Sequence, residues 1–513
     1  MLLPYMQNTK KKAKEYIIGF LGLNMGDDCK DGEFSETLNL SSSNFPCLTQ
    51  RQARSVYKTL TAPTALFANN VMCYVDGTKF FYNGLAKGDV SAGGKQIVSV
   101  NTKVIIWPDK LCYDTVTDTI QPLELSQVRA VTFAQTAAPK STTVTTSGAA
   151  FNFRKGDAVK LSGCTAIAAN NDVTAIIRNI SADGKTLTFD PLVFTDGTES
   201  AVFTREVPDM DYICEWNNRL WGCGGGKIYS SALGDPFNFN NFDGLSTDSY
   251  AVVVGSDGEF TGISAYSTHL MFHKENCVHK IYGSKPSNYD MVTGKFPGIM
   301  AGCNKSVLII NEVLYYMSRQ GVVSYTGSIA HSIFAAFGTR QYRNAVAGSD
   351  GEKYYISMQD EADNWGLFAF DVKRGLWLQE DAVHAVDFAL VAGELYFLSD
   401  NKIYLMNSGA ETISWSATFC RFYETITEVK GYSRLTMRVE LEAGSKIDIE
   451  VAADAGAFKL VKTIEAAKNA QQKVCLIPII PTRCDSFCIR LSGTGRSRIY
   501  ALTREFNVGS ELR

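Results

Sequence analysis

A pattern of paired apolar strands recurs through the middle of this 513-residue chain and constrains its fold more than any other feature. In each copy an apolar strand is followed by a short polar turn and a second strand that ends near a glycine, as in residues 218–222 and 227–230. Successive copies are centred 50, 44, 40 and 41 residues apart, on Leu220, Leu270, Leu314, Tyr354 and Leu395. Repeats of about 40–50 residues built from four short strands are typical of a β-propeller.

Weaker copies at residues 71–84 and 104–107 extend the pattern, so six or seven blades account for the repeats. Each strand pair has one apolar face that it cannot bury alone, and neighbouring blades cover those faces. The 29 Phe, 23 Tyr and 42 Gly agree with many short strands and tight turns. Helix is expected only at residues 464–473, as one or two turns.

The repeat is interrupted between residues 115 and 207. Residues 180–189 contain Asp183-Gly184 flanked by alternating apolar residues, which predicts a β-hairpin. This segment is interpreted as a small β-barrel inserted between blades. Residues 137–146, rich in Ala, Ser and Thr, are expected to form its flexible lead-in.

Beyond residue 409 the repeat gives way to strict alternation of apolar and polar residues, as at 435–441 and 447–451, which favours an antiparallel sandwich. The sequence thus predicts an all-β fold: a six- or seven-bladed propeller with an inserted small β-barrel and a C-terminal antiparallel β-sandwich. The predicted regions are an extended N-terminal segment (1–50), first blades (51–114), the barrel (115–207), remaining blades (208–409) and the sandwich (410–513).

Charge and apolar content exclude several functions. The net charge is −3 and the pI about 6.1, without the basic excess of a protein that grips nucleic-acid phosphates. No apolar stretch approaches the length needed to cross a bilayer, and the short run at 17–23, broken by glycines, does not predict a signal peptide.

Thirteen unclustered cysteines, including Cys73 and Cys420 in apolar runs, favour a reducing cytoplasm over a disulfide framework.

The sequence contains two groups of potential metal ligands. His269, His273, Cys277 and His279 would share one face of a continuous strand, but no carboxylate accompanies them, so packing and turn roles are favoured over zinc. Cys484 and Cys488 lack the two-residue spacing of a zinc or redox pair and are interpreted as two cysteines on one side of a strand.

The glycine-rich segments are predicted to be turns. Residues 222–227 resemble a phosphate-binding loop but are one residue short, and Ile228 stands where Ser or Thr would bind magnesium. Residues 255–259 and 348–352 have nearly the same sequence and are both predicted to be Asp-Gly tips of β-hairpins. No catalytic, cofactor-binding or metal-binding residue is predicted, no cofactor is expected, and the chain is interpreted as a non-enzyme.

Two passages resemble the packaged-DNA stabilisation or tail-nozzle proteins of short-tailed bacteriophages. The first has Asn39-Leu40, Phe45-Pro46, Leu48, Arg51 and Arg54; the second runs from Asn218 through Gly222 to residues 228–239, which include Gly234-Asp235-Pro236. Arg498-Ile499-Tyr500, with Gly509-Ser510-Glu511, is also similar to phage structural chains.

The resemblance implies a non-enzymatic virion protein, a tail hub or nozzle ring that closes the DNA channel and connects the head-to-tail adaptor to distal tail parts. Its expected partners are the adaptor or portal, a tail fibre or needle, and further copies in a homo-oligomeric ring, with DNA passing through the lumen without specific binding. Assembly is expected in the host bacterial cytoplasm.

Two further functions stay open at this point. One is a tail-tip propeller that recognises a host surface glycan or protein, which an exposed cluster of Trp and Tyr with acidic neighbours would favour. The other is a propeller glycosidase, although the recurrent Ser-x-Asp-x-Gly-x-x-x-Trp turn of sialidases is not seen.

Overall fold

The structure, a computed structural model, describes residues 11–424, 429–466, 470–480 and 483–508. The chain divides into two compact units. Unit 1 comprises residues 1–60, 305–325 and 331–513, and unit 2 comprises residues 61–304 and 326–330.

The strands of the first half of the chain are β1 (Lys11–Ile17), β2 (Gly22–Leu23), β3 (Glu33–Leu38), β4 (Leu40–Ser41), β5 (Leu48–Gln50), β6 (Ala53–Thr59), β7 (Pro63–Asn69), β8 (Val71–Asp76), β9 (Lys79–Tyr82), β10 (Leu85–Asp89), β11 (Gln96–Val100), β12 (Lys103–Trp107), β13 (Leu111–Asp114), β14 (Thr119–Pro122), β15 (Leu125–Ala137), β16 (Lys140–Thr146), β17 (Ala158–Ser162), β18 (Thr174–Ile180), β19 (Thr186–Phe189), β20 (Gly197–Arg205), β21 (Tyr212–Trp216), β22 (Arg219–Gly224) and β23 (Lys227–Ser230).

The remaining strands are β24 (Tyr250–Val253), β25 (Phe260–Ala265), β26 (Leu270–Lys274), β27 (Cys277–Tyr282), β28 (Asp290–Gly294), β29 (Leu308–Ile310), β30 (Val313–Ser318), β31 (Gly321–Tyr325), β32 (Ala330–Ser332), β33 (Tyr342–Ser349), β34 (Lys353–Asp360), β35 (Trp365–Asp371), β36 (Leu376–Asp381), β37 (Asp387–Val391), β38 (Glu394–Ser399), β39 (Lys402–Gly409), β40 (Ser414–Phe419), β41 (Lys430–Leu441), β42 (Lys446–Ala453), β43 (Lys459–Glu465), β44 (Ala470–Pro478), β45 (Arg483–Cys484), β46 (Phe487–Thr494) and β47 (Ser497–Val508). Single 3₁₀ turns occur at Ala168–Asn170, Pro286–Asn288, Asn304–Ser306 and Ala335–Phe337.

Four-stranded antiparallel sheets make up the propeller. Unit 2 contains the sheets β7–β10, β11–β14, β21–β24 and β25–β28. In each of them, strands that are consecutive in the chain are neighbours in the sheet. The sheets β29–β32 and β33–β36 follow the same order. The all-β propeller predicted from the strand repeat is therefore confirmed.

The two middle strands of each sheet are the strand pairs that the sequence revealed. Every residue of β22 and of β26 is buried, and so are the last five residues of β30. The fourth strands differ, because β24 and β28 alternate between half-buried and exposed residues. Middle strands are covered on both faces, so their sequences are apolar runs, whereas outer strands have one face exposed to solvent.

The sheet β37–β38–β39 takes its fourth strand from the N-terminal part of the chain. Strand β6 pairs antiparallel with β39, with Lys402 opposite Thr59 and Gly409 opposite Ala53. Buried ion pairs hold this segment: Arg54 contacts Glu380 at 2.7 Å and Asp381 at 2.5 Å, and Arg51 contacts Asp381 at 3.0 Å.

The inserted domain is a closed six-stranded barrel in the order β15–β16–β19–β18–β17–β20. Its interior is filled by apolar side chains, among them Phe133, Val159, Ile177 and Phe203. The predicted flexible lead-in at 137–146 is wrong. These residues form the turn and second strand of the β15–β16 hairpin, with Ala137 opposite Lys140, since their Thr side chains suit the half-buried wall of a barrel.

The C-terminal sandwich is confirmed, and the N-terminal strands belong to it. One sheet has the order β4–β5–β47–β41–β44 with β1 beside β47 and β45 beside β41; the other has the order β2–β3–β40–β46–β42–β43. The core between them includes Phe34 and Leu48 from the N-terminal part. The helical turns expected at 464–473 are wrong for the strand residues there, since 464–465 end β43 and 470–473 begin β44, and residues 467–469 lie outside the described residues.

Cys29 and Cys420 form a disulfide bond, so the prediction that Cys420 is a free apolar cysteine is wrong. Eleven other cysteines are free thiols. Within the described ranges, no helix is long and apolar enough to span a membrane.

Candidate functional site

The four residues weighed as zinc ligands lie on a hairpin rather than on one strand. His273 is on β26 and faces Val278 in the register, while Cys277 and His279 are on β27. Each histidine is hydrogen-bonded to a hydroxyl: His269 to Thr268 at 2.9 Å, His273 to Ser264 at 2.7 Å, and His279 to Ser256 at 2.7 Å. No cluster of three or more His, Cys, Asp or Glu suited to a metal occurs among the described residues.

Burial keeps these histidines neutral. It lowers the pKa of His269 to about 4, with a further contribution from Lys280, and the pKa of His273 to about 3. Burial and the nearby Lys274 also lower the pKa of His279. A neutral, hydroxyl-bonded imidazole inside a sheet serves packing.

Cys484 and Cys488 do not share a strand, which corrects their interpretation. Cys484 is on β45, in the sheet of β41, and Cys488 is on β46, in the other sheet of the sandwich. Burial raises the pKa of Cys484 to about 11 and also raises that of Cys488. Both thiols therefore stay protonated and unreactive at neutral pH.

The glycine-rich turns divide into two kinds. Residues 225–226 join β22 to β23 with φ of 54° and 71°, which confirms the hairpin loop. Asp350-Gly351 is the predicted hairpin tip between β33 and β34. The near copy at 255–259 is not a tip, because it connects β24 to β25, which belong to different sheets.

A cleft of about 590 Å³ in unit 1 combines an aromatic ring with polar groups. We call it the polar cleft. Its walls come from the turn between β34 and β35, from the start of β33, and from β3, β36 and β40. The lining residues are Met25, Glu36, Thr37, Leu38, Arg340, Gln341, Tyr342, Asp360, Glu361, Ala362, Asn364, Trp365, Gly366, Phe368, Gln379 and Ser416.

Trp365 supplies the aromatic surface of the polar cleft. It begins β35 and is half-buried, whereas Trp107, Trp216, Trp221, Trp377 and Trp415 are buried. The imidazole of His384 stacks on it with ring centroids 3.7 Å apart and planes 19° apart. The indole is thereby held in place at the edge of the cleft.

Asp360 closes the turn that carries Trp365. Its Oδ1 accepts hydrogen bonds from the backbone N–H groups of Asn364 at 2.8 Å and Ala362 at 2.9 Å, and its Oδ2 accepts one from the Asn364 side chain at 3.2 Å. The bond from the Asn364 backbone is the main reason why the pKa of Asp360 is lowered. Asp360 is therefore an anion at neutral pH.

The opposite wall is fixed by hydrogen bonds between elements distant in sequence. The Gln379 backbone N–H donates to Thr37 Oγ1 at 2.8 Å, and the Thr418 hydroxyl donates to Glu36 at 3.3 Å. Glu36 and Glu361 are exposed carboxylates, and Arg340 is an exposed cation. The cleft thus presents acceptors, donors and aromatic surface to a ligand.

Comparison with known proteins gives fold neighbours only. No protein-family profile and no curated protein matches the sequence. Among solved structures, an exo-β-1,3-galactanase from Phanerochaete chrysosporium is 9% identical, with 56% of this chain and 92% of that chain covered and a TM-score of 0.21. Hsv2 from Kluyveromyces lactis is 9% identical (62% and 98% covered, TM-score 0.28), and the BBS1 N-terminal domain in complex with ARL6 is 11% identical (71% and 98%, TM-score 0.26).

The predicted function is corrected by these comparisons. The matches include the galactanase and a GH43 glycoside hydrolase, and none of those named is a virion protein, so the assignment as a tail hub or nozzle ring, or as a tail-tip receptor binder, is wrong. The family resemblance, partners, ring assembly and virion localisation stay predictions. Of the residues that carry the resemblance, 219–222 lie in β22, and 509–511 lie outside the described residues.

Proposed function

We propose that this chain is a non-enzymatic carbohydrate-binding protein whose ligand site is the polar cleft. The observation that carries the proposal is the half-exposed Trp365 beside Asp360 and Glu361 in a cleft of about 590 Å³. The apolar C–H face of a sugar ring stacks on an indole, while carboxylates and amides accept hydrogen bonds from its hydroxyl groups. The cleft volume lies within the roughly 300–1,000 Å³ that small-molecule sites span.

The charges of the cleft support binding rather than hydrolysis. Glycoside hydrolysis needs one carboxyl group that stays protonated near neutral pH to donate a proton to the leaving oxygen. Asp360 fails this requirement, because its lowered pKa keeps it ionised and its oxygens are held by the turn. Glu36 and Glu361 are exposed carboxylates on the walls of the cleft, where their oxygens can accept hydrogen bonds from ligand hydroxyl groups.

Binding to an array of soluble oligosaccharides, followed by calorimetry with the best ligand, tests the proposal. Trp365→Ala is expected to weaken the affinity about tenfold or more, since it removes the stacking surface. Tyr57→Ala is the matched control, because Tyr57 is an exposed aromatic residue on β6 outside the cleft.

Two results would overturn the proposal. One is the absence of binding to every sugar, or equal affinity in Trp365→Ala. The other is release of reducing sugar from the bound oligosaccharide, which would make the chain a hydrolase.

A further inference from the structure

Strand β44 is the open edge of the seven-stranded sheet. It pairs with β41 on one side, from Arg434 opposite Pro478 to Leu441 opposite Ala470, and in the described part of the chain no strand pairs with its other side. Strand β43 ends the second sheet of the sandwich in the same way, and the two edge strands contact each other. One side of the sandwich therefore offers unpaired backbone N–H and C=O groups.

The second half of β44, residues 474–477, is apolar on both faces. Cys475 and Ile477 point into the sandwich core, while Val474 and Leu476 point outward and are 56% and 57% exposed. A strand that is apolar on both faces is typical of one that is covered on both sides.

Four cations lie on β44 and on the two strands that contact it. Arg438 lies opposite Val474, Lys473 precedes Val474 on β44, and Lys459 and Lys462 lie on β43. Within the described residues, none of these four forms an ion pair. Of the carboxylates on neighbouring strands, Glu440 accepts a hydrogen bond from Tyr500 and Asp448 pairs with Lys446.

We propose that β44 is a docking edge for an extended acidic segment of a partner protein, which adds to the sheet as a further strand. Backbone hydrogen bonds to β44 supply the pairing, apolar side chains of the segment cover Val474 and Leu476, and its carboxylates pair with Arg438, Lys473, Lys459 and Lys462. A second copy of this chain fits less well, because β44 carries Lys473 and no carboxylate, so a second β44 edge would supply no acidic partner for these cations. This inference does not depend on the carbohydrate site.

The test uses a fluorescent nine-residue peptide of alternating Glu and Val, with a Lys and Val peptide of the same length as the charge control. The full chain is expected to raise the anisotropy of the acidic peptide in a saturable manner that weakens with added salt. Hydrogen exchange of residues 472–477 is expected to slow in the complex, because strand addition protects the N–H groups that do not bond to β41.

Variants distinguish binding at the β44 edge from non-specific attraction between opposite charges. The double variant Val474→Thr with Leu476→Thr keeps strand propensity but removes the apolar contact, so it is expected to weaken binding at least tenfold. The double variant Lys473→Glu with Lys462→Glu reverses two of the charges and is expected to weaken binding by a similar factor. Val253→Thr is the matched control, an equally exposed valine (68%) on the outer strand β24, and should bind as the unaltered chain does.

Three results would overturn the inference. The first is equal binding of the Lys and Val peptide. The second is unchanged affinity in both double variants, checked to be folded by circular dichroism. The third is a dimer in sedimentation that dissociates in Val474→Thr with Leu476→Thr and does not bind the acidic peptide, which would assign the edge to a second copy.

Discussion

Cys29 and Cys420 are joined by a disulfide bond across 391 residues of sequence, with their Cα atoms 6.1 Å apart. Cys29 lies between β2 and β3, and Cys420 directly follows β40, the strand with which β3 pairs. The bond therefore fixes the N-terminal segment to the six-stranded sheet. A cross-link that closes so long a loop restricts the unfolded chain strongly.

Removing this disulfide is expected to destabilise the sandwich. Cys29→Ser with Cys420→Ser should lower the free energy of unfolding by about 2–5 kcal/mol, the usual cost of losing a native disulfide. Thermal unfolding of the unaltered chain should show the same loss when a reductant is present, and the double variant should not respond to the reductant. Alkylation of both thiols without reductant, detected by mass spectrometry, would show that the bond is absent.

Trp221 is expected to be an anchor of its sheet. Its side chain is fully buried among Trp216, Phe272 and Tyr289, and its Nε1–H donates to the Trp216 carbonyl at 3.2 Å. Trp221→Ala should lower the free energy of unfolding by about 3–5 kcal/mol through lost burial and the cavity left behind. Trp365→Ala, at the half-buried tryptophan, is the control and should lower the free energy of unfolding less than Trp221→Ala does in urea unfolding.

The buried pair of Arg54 and Glu380 is expected to show strong coupling. Both side chains are nearly inaccessible, and the neighbouring carboxylates raise the pKa of Arg54 against the effect of burial. Arg54→Leu leaves Glu380 without that partner and should cost about 3–5 kcal/mol. Adding Glu380→Leu should recover part of this loss, so the double variant should be more stable than the sum of the single variants predicts. If the stability losses of the two single variants simply add up to that of the double variant in urea unfolding, Arg54 and Glu380 are not coupled.

The propeller could be predicted from the sequence because its middle strands are covered on both faces. Leu220, Leu270 and Leu314 belong to strands in which buried residues form long apolar runs. The outer strands could not be found this way: Tyr250–Val253 has only half-buried and exposed residues. The strand β6 was missed as the partner of β39 because pairing over more than 340 residues leaves no local signal.

The polar cleft could be predicted only in part. The acidic turn that leads to Trp365 is visible in the sequence as Asp360-Glu361-Ala362-Asp363-Asn364. Its opposite wall, Glu36–Leu38, comes from a strand more than 320 residues away, and only the pairing of β3 with β40 brings it there. The disulfide was missed for the same reason, because neither cysteine has a partner nearby in sequence.

Acidification is expected to destabilise the protein through its buried histidines before its carboxylates titrate. Burial lowers the pKa of His273 from 6.5 in the unfolded chain to about 3, so the unfolded state binds a proton that the folded state does not. Stability is then full above pH 6.5 and falls as the pH drops from 6.5 toward 3. Between pH 7 and pH 5, His273 alone should cost about 2 kcal/mol, at one proton and about 1.4 kcal/mol per pH unit. Asp and Glu contribute little in this window because their unfolded pKa values lie near 4.

The variant His273→Gln separates this effect from general acid sensitivity. Its amide can keep the hydrogen bond to Ser264, which lies 2.7 Å from the ring nitrogen, but it cannot take up a proton in the unfolded chain. Urea unfolding at pH 7 and pH 5 should therefore show a smaller loss in His273→Gln than in the unaltered chain, by about 2 kcal/mol. The remaining slope belongs to His269 and His279, whose pKa values burial also lowers. An equal loss in both proteins would mean that His273 is solvated and titrates normally in the fold.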